Sequence, residues 1–353
     1  MELNNIIFTI SLLIIGYFLN QEILKILNKS KTNILKDDQF KKTQAFHTLA
    51  TYNLGGLTLF IMMSLTFLYL FLYKEIFFLE FISFCTFFFF LGFADDLKIN
   101  ISPKLRLIIM IVFLLFLIIF NELKIDNVSI EYLSNLMEID IFALFFLCIC
   151  FLFIVNGSNL VDGFNGLLSI HALIILIILF FINLFNENYN LAYVLFYISL
   201  SIIIFIKFNF PKAQMFLGDG GAYLLGAVIS ISVIMTNNLN PSISSFFFCV
   251  LLFYLFFEVF FSFFRKILYV GQNPLLPDRN HLHMLIYKFL TKKNKKKIDI
   301  NYKVSIYINS IYILLIIPSL IFINNGLFSR YYFFCLLIIY VYFYKALNKK
   351  LNR

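Results

Sequence analysis

The sequence predicts an all-α integral membrane protein, a single polytopic bundle of about 11 transmembrane helices occupying residues 1–353. Three observations predict it. Hydrophobic residues make up 61% of the chain and charged residues 13%, against roughly 45–50% and about 25% in soluble domains. The apolar residues fall in runs of about 17–25, the length a helix needs to cross a bilayer. The basic residues gather on alternate connections between those runs.

Eleven apolar segments follow one another, at about 4–26, 50–72, 76–94, 105–121, 140–155, 165–183, 190–207, 221–237, 243–264, 304–323 and 330–346. The first, from Ile6 to Asn20, lacks a basic leading region and a small-residue cleavage site, so it reads as a retained span rather than a signal peptide. An odd number of spans puts the termini on opposite sides. With the N-terminus outside and the C-terminus cytoplasmic, 25 of the 28 basic residues lie inside and only Lys74, Lys124 and Arg330 lie outside. That asymmetry sets the orientation. The net charge of +9 then belongs to a cytoplasmic surface suited to anionic lipids and substrates, without indicating nucleic acid. The outside connection at 122–139 alternates polar and apolar residues, as a small hairpin would. All five cysteines sit inside apolar runs and read as small buried hydrophobes, neither a disulfide framework nor a metal cluster. No linker or fixed-period repeat divides the chain.

Polar residues embedded near a bilayer are costly unless paired or wet, so their positions are informative. Five clusters fall in cytoplasmic segments, at 28–49, 95–104, 156–166, 208–221 and 265–303. Asp95 and Asp96 close the third span, with Lys104 following. Adjacent carboxylates repel, and a cation would relieve them. Asn156, Asn159 and Asp162 are three apart and line one side of a helix end, while Gly163 and Gly166 let backbone approach a ligand. Asp219, between Gly218 and Gly220, opens the eighth span, where unpaired helix N–H groups attract anions and a carboxylate can hold a metal bridging to phosphate. Arg279, His281 and His283 lie in a basic, proline-shaped loop suited to phosphate or pyrophosphate. Glu258 shares a helix face with Arg265 two turns on, in a structural or a substrate-orienting role. His171 reads as a hydrogen-bonded interior residue. His47, eight residues before Gly55, completes the set.

In order, these clusters resemble the polyprenyl-phosphate N-acetylhexosamine-1-phosphate transferases of glycosyltransferase family 4, from His47 to His283. Asp95-Asp96 and Lys104 look like the family's paired-aspartate motif and its following lysine. Asn156, Asn159 and Asp162 match Asn-x-x-Asn-x-x-Asp-Gly. Phe216-Leu-Gly-Asp219 matches Phe-x-Gly-Asp, whose aspartate binds magnesium and whose phenylalanine stacks on uracil. Pro277-Asp-Arg-x-His281-x-His283 is similar to the histidine motif of the GlcNAc-1-phosphate branch, the type that initiates O-antigen and teichoic acid assembly. Three positions depart from the pattern: Met284 replaces a further histidine, Tyr52 and Asn53 replace a proline and a basic residue, and Glu258 stands where Asp is common.

The resemblance implies a magnesium-dependent enzyme, with manganese as an alternative ion. It would carry HexNAc-1-phosphate from a UDP-sugar to undecaprenyl phosphate in the bacterial cytoplasmic membrane, its active site facing the cytoplasm and a homodimer possible. It assigns the metal to Asp219, catalysis to Asp95, Asp96, Lys104, His281 and His283, and substrate binding to His47, Asn156, Asn159, Asp162, Phe216 and Arg279. An ion-coupled transporter is the rival, since glycines and intramembrane carboxylates mark those too. Transporter sites lie near the midplane, whereas these clusters lie at one face.

Overall fold

The computed structural model describes residues 3–30, 35–37, 51–99, 101–270, 278–293 and 300–351. His47 and Pro277 lie outside the described residues, as do most of 28–49 and parts of 265–303. The chain forms α1 (Leu3–Ser30), α2 (Gly55–Lys74), α3 (Leu79–Asp96), α4 (Pro103–Phe120), α5 (Glu131–Met137), α6 (Asp140–Val161) and α7 (Leu167–Phe185). It continues through α8 (Tyr189–Asn209), α9 (Gly218–Leu239), α10 (Ser245–Leu251), α11 (Phe253–Arg265), α12 (Leu282–Lys293), α13 (Asn301–Ile321) and α14 (Gly326–Leu351). Every one of the eleven expected segments is occupied by helix.

Among the described residues, nine of these helices are long and apolar enough to cross a membrane, and α10 with α11 forms an apolar pair bent by 71°, which counts as a tenth where the pair is taken as one span. The third expected segment, α3, has the same length as α4 but carries Glu80 at its start and Asp95 and Asp96 at its end. The bend at Leu252 frees the carbonyl of Leu251, and the Tyr312 hydroxyl donates to it at 2.6 Å. A side chain thereby satisfies a backbone group that the bilayer could not.

The connection at 122–139 is a correction. Residues 122–139 contain no strand; they form the short helix α5 with flanking turns. The segment is pinned by amides instead: Asn127 Nδ2 donates to Pro241 and Ile243 carbonyls, and Asn237 Nδ2 donates to the Asn127 carbonyl. The cysteines divide. Cys85 and Cys148 are buried, but Cys249 and Cys335 are exposed on the bundle's outer surface, where an apolar lipid contact suits a thiol as well as a core does. His171 is fully buried with Nδ1 3.1 Å from Asn309 Oδ1.

The core is organised around α9, which is buried along nearly its whole length. Glycines at its crossings let neighbours approach to backbone distance. A Cβ on Gly56 of α2 would lie 2.3 Å from Gly221 N, one on Gly92 of α3 would lie 2.4 Å from Asp219 O, and one on Gly226 would lie 2.7 Å from Val155 Cα of α6. Small residues at such crossings are how membrane helices gain close van der Waals packing. α9 therefore fixes α2, α3 and α6 relative to one another, and with them the polar ends they carry. A small sheet sits at that same end: β1 (Lys36–Asp37) pairs antiparallel with β2 (Thr51–Asn53), and β2 pairs parallel with β3 (Met215–Phe216), bringing Asn53 opposite Phe216.

Candidate active site

The site is built on the first turn of α9. Gly218 adopts φ 76°, a left-handed conformation, and a side chain there would meet the Asp96 carboxylate at 2.6 Å. Glycine is therefore required on both counts. The next two N–H groups donate to Asp96, Asp219 N to Oδ1 at 3.0 Å and Gly220 N to Oδ2 at 2.9 Å. Asn53 Nδ2 adds a third donor at 3.3 Å. This corrects the expectation that the helix start is open to a phosphate. The anion held there is the buried carboxylate of Asp96, reaching across from the end of α3.

The other carboxylates surround that turn. Asp95 forms an ion pair with Arg106 of α4, and the Arg106 guanidinium lies 5.9 Å from the ring centre of Tyr223, one turn along α9 from Asp219. Tyr223 in turn sits against Asn159. Asp162 follows the last residue of α6, and burial, with the charge of Asp219 second, pushes its carboxyl up to about 8. Asp96 and Asp219 also feel each other's charge. Thus Asp95, Asp96, Asp162 and Asp219 converge with Asn159. Asn156 lies toward α4, its Nδ2 donating to Leu152 O at 2.7 Å and 4.0 Å from Met110 Sδ.

The loop 162–166 is held from two sides. Gly166 N donates to Asn209 Oδ1 at 2.6 Å, and Asn209 Nδ2 donates to Met215 O at 2.9 Å, joining this loop to the strand that carries Phe216. Asn165 N donates to Asn301 Oδ1 at 2.8 Å. Phe216 is half-buried beside Asn53.

The histidine segment packs over the same loop. Both ring nitrogens of His281 face carboxylates, Nδ1 at 3.3 Å from Glu258 and Nε2 at 3.2 Å from Asp278. Asp278 accepts from Arg265 at 2.6 Å. His283 stacks parallel to His281 and meets Phe164 edge-on. A Cβ on Gly163 would lie 3.9 Å from His283 Nε2. Burial lowers His283 from 6.5 to about 4, only partly offset by Glu258. His283 thus borders the Asp162 turn, while His281 stands one layer behind it. Arg279 is exposed, its carbonyl accepting from Lys288 Nζ at 2.6 Å. Lys104 is exposed on the first turn of α4, and among the described residues the cation on Asp95 is Arg106 instead.

Among the described residues no three His, Cys, Asp or Glu side chains form a ready metal cage. The donor set still fits magnesium, which takes one or two carboxylates and completes its shell with water and substrate phosphates. Asp96 and Asp162 each face the charge of Asp219, and a divalent cation among them would relieve that repulsion.

A family model described as glycosyl transferase family 4 matches residues 78–237, spanning all four carboxylates. Phospho-N-acetylmuramoyl-pentapeptide-transferase of Dictyoglomus turgidum is 32% identical over 240 residues, 64% of this chain and 71% of that protein. The chain belongs to glycosyl transferase family 4. Other members of the family are similar over shorter stretches. Undecaprenyl-phosphate alpha-N-acetylglucosaminyl 1-phosphate transferase of Thermotoga maritima is 34% identical over 147 residues, 42% of this chain and 44% of that protein. A probable undecaprenyl-phosphate N-acetylglucosaminyl 1-phosphate transferase of Bacillus subtilis is 28% identical over 203 residues, 56% of this chain and 55% of that protein. The match thus spans about half the length of these two relatives.

Within this family 4 site, three residues were not singled out from sequence as site residues: Arg106, Asn53 and Tyr223. Arg106 is two residues beyond Lys104 and appeared only as one more cytoplasmic charge. Asn53 appeared only as a departure from the family pattern, and its sequence position gives no hint that β2 delivers it to Asp96. Tyr223 is four residues after Asp219, one turn along the same face, which was a legible signal.

Proposed function

We propose that this family 4 member transfers a hexosamine 1-phosphate, GlcNAc-1-phosphate in particular, from a UDP-sugar to a polyprenyl phosphate, releasing UMP on the cytoplasmic side of the membrane. The observation that carries the reading is the gathering of four carboxylates, with an arginine on one of them, around the start of α9. Phosphoryl transfer asks for positioning and charge neutralisation more than covalent help. In the proposed reaction an oxygen of the lipid phosphate attacks the β-phosphorus of the UDP-sugar. The bond from that phosphorus to the bridging oxygen breaks, and its electron pair leaves with UMP.

Asp95 orients the attacking phosphate and accepts its proton, with Arg106 holding Asp95 in place until phosphate oxygens compete for the guanidinium. Asp219 and Asp96 would hold magnesium, which supplies charge neutralisation at the diphosphate. Asn159 and Asp162 line the donor side, and Phe216 offers a ring for the base. Because Asp96 is fixed by two backbone N–H groups, its position depends on α9 rather than on a mobile side chain. The muramoyl-pentapeptide donor of the Dictyoglomus relative is the alternative substrate of the same chemistry. The resemblance associates three consecutive histidines with the muramoyl-pentapeptide branch; the segment Asp278 to His283 has none, which favours the simpler sugar.

The test is product analysis. Purified protein with magnesium, undecaprenyl phosphate and either UDP-GlcNAc or UDP-MurNAc-pentapeptide is followed by mass spectrometry of the lipid fraction. Polyprenyl-diphosphate-GlcNAc supports the proposal. The muramoyl product alone changes the donor, and no lipid product with any UDP-HexNAc removes the transferase reading.

A further inference from the structure

Glu258 is a carboxylate only 1% exposed, inside α11, the second half of the bent apolar helix pair. Burying such a charge is costly without partners, and the partners it has are specific. Oε1 accepts from Leu282 N at 3.1 Å and lies 3.9 Å from His283 Nδ1, while Oε2 lies 3.3 Å from His281 Nδ1. One carboxylate therefore faces the same edge of two parallel imidazoles, inclined by 4° with centres 5.5 Å apart.

The two rings differ at their far edges. His281 Nε2 is taken up by Asp278, itself held by Arg265, so His281 is a strut between two carboxylates. His283 Nε2 is buried without a hydrogen-bond partner among the described residues, on the side of the Asp162–Gly163 turn. Gly163 has no side chain to fill the space between them.

We propose that Glu258 is a positioning residue: it keeps the proton of His283 on Nδ1 and so presents Nε2, as an acceptor, to a hydroxyl or amide N–H of the transferred sugar. A carboxylate only accepts hydrogen bonds, so it favours the tautomer with hydrogen on the facing nitrogen. The Tyr254 hydroxyl, 3.4 Å from the same Nδ1, can accept from it as well. Burial keeps the ring neutral, with its pKa near 4. A neutral ring carrying its proton on Nδ1 has only a lone pair at Nε2. It repels a phosphate oxygen and binds a donor. The sugar supplies donors, and the diphosphate supplies none. The identity of that ligand rests on the transferase reading; the tautomer does not.

The tautomer is read directly by 15N NMR of histidine-labelled protein at pH 7. The chain has four histidines, and His283→Gln assigns the signal, with His281→Gln as a second route by elimination. The expected result is the Nδ1–H form, with Nε2 shifting when donor sugar nucleotide is added. In Glu258→Gln the charge at Nδ1 is gone, Tyr254 donates there, and the ring moves to the Nε2–H form. That variant raises the KM for the UDP-sugar roughly tenfold, the worth of one hydrogen bond turned from match to clash, while kcat stays within about twofold. Glu258→Asp restores most of it. An Nε2–H or doubly protonated His283 in the native protein overturns the proposal whatever the activity. The expected tautomer with a donor KM unmoved by Glu258→Gln overturns the sugar contact. Absence of any transfer by native protein removes the transferase reading and leaves the tautomer result standing.

Discussion

Replacing Gly92 by alanine tests the claim that backbone contact between α3 and α9 sets the site. The added Cβ would lie 2.4 Å from Asp219 O, 2.5 Å from Asp219 C and 2.7 Å from Gly220 Cα, all main-chain atoms of a buried helix that no rotamer change can move. Ordinary contact begins at 3.4 Å, so the helices must part by about 1 Å at the crossing. Asp96 sits one turn further along α3, and its bonds to Asp219 N and Gly220 N, at 3.0 and 2.9 Å, would stretch beyond hydrogen-bonding range. Overpacking of this kind costs about 1–3 kcal/mol, and a shift of about 1 Å in reacting groups costs on the order of 100-fold in rate. The assay is lipid-product formation beside thermal unfolding in detergent, with Gly326→Ala as control, where the added Cβ meets only Ser244 Oγ at 3.5 Å. We expect the control to behave as native and Gly92→Ala to lose about two orders of magnitude in kcat. A Gly92→Ala protein as stable and active as native would refute the reasoning.

Other consequences follow from single contacts. Arg106→Ala should reduce transfer more than Lys104→Ala, because Arg106 holds Asp95 while Lys104 is exposed; kcat of the two variants, measured side by side, checks it. Asn53→Ala removes one of three donors to Asp96 and should lower thermal stability by about 1 kcal/mol, read by unfolding in detergent. His283 gives a pH signature. Its folded pKa, about 4, lies below the ordinary 6.5, so its stabilisation is complete above 6.5 and is lost as pH falls toward 4. The unfolded chain takes the proton before the native one does, with up to about 3 kcal/mol at stake. Thermal stability of the native protein should therefore fall between pH 6.5 and 4.5, and His283→Asn should flatten that slope.

Most of the architecture was legible because a bilayer imposes strict lengths. Each apolar run was expected to be helical, and each is, with the run 243–264 divided into α10 and α11. The acidic ends of α3, α6 and α9 were legible too, since Asp95, Asp96, Asp162 and Asp219 stand out against apolar sequence. What sequence could not show was how those ends are used. Nothing local says that Asp96 occupies the start of α9, because the contact joins residues 123 and 124 positions apart. The bend at Leu252 lacks a proline or glycine, and only the Tyr312 hydroxyl on a distant helix explains how it is tolerated. Residues 122–139 misled because their alternation mimics a strand, while the partners that pin Asn127 lie more than a hundred residues away. His281 and His283 look equivalent in sequence, and only Asp278 and Gly163 on their far edges tell them apart.

The most direct test of the central claim is UMP release by native protein and by Asp219→Ala, purified together and matched for thermal stability. Both are supplied with UDP-GlcNAc, undecaprenyl phosphate and magnesium. The account predicts lipid-dependent UMP release by the native protein, abolished by EDTA and by the substitution. Release undiminished in Asp219→Ala would contradict it and move the chemistry away from the start of α9.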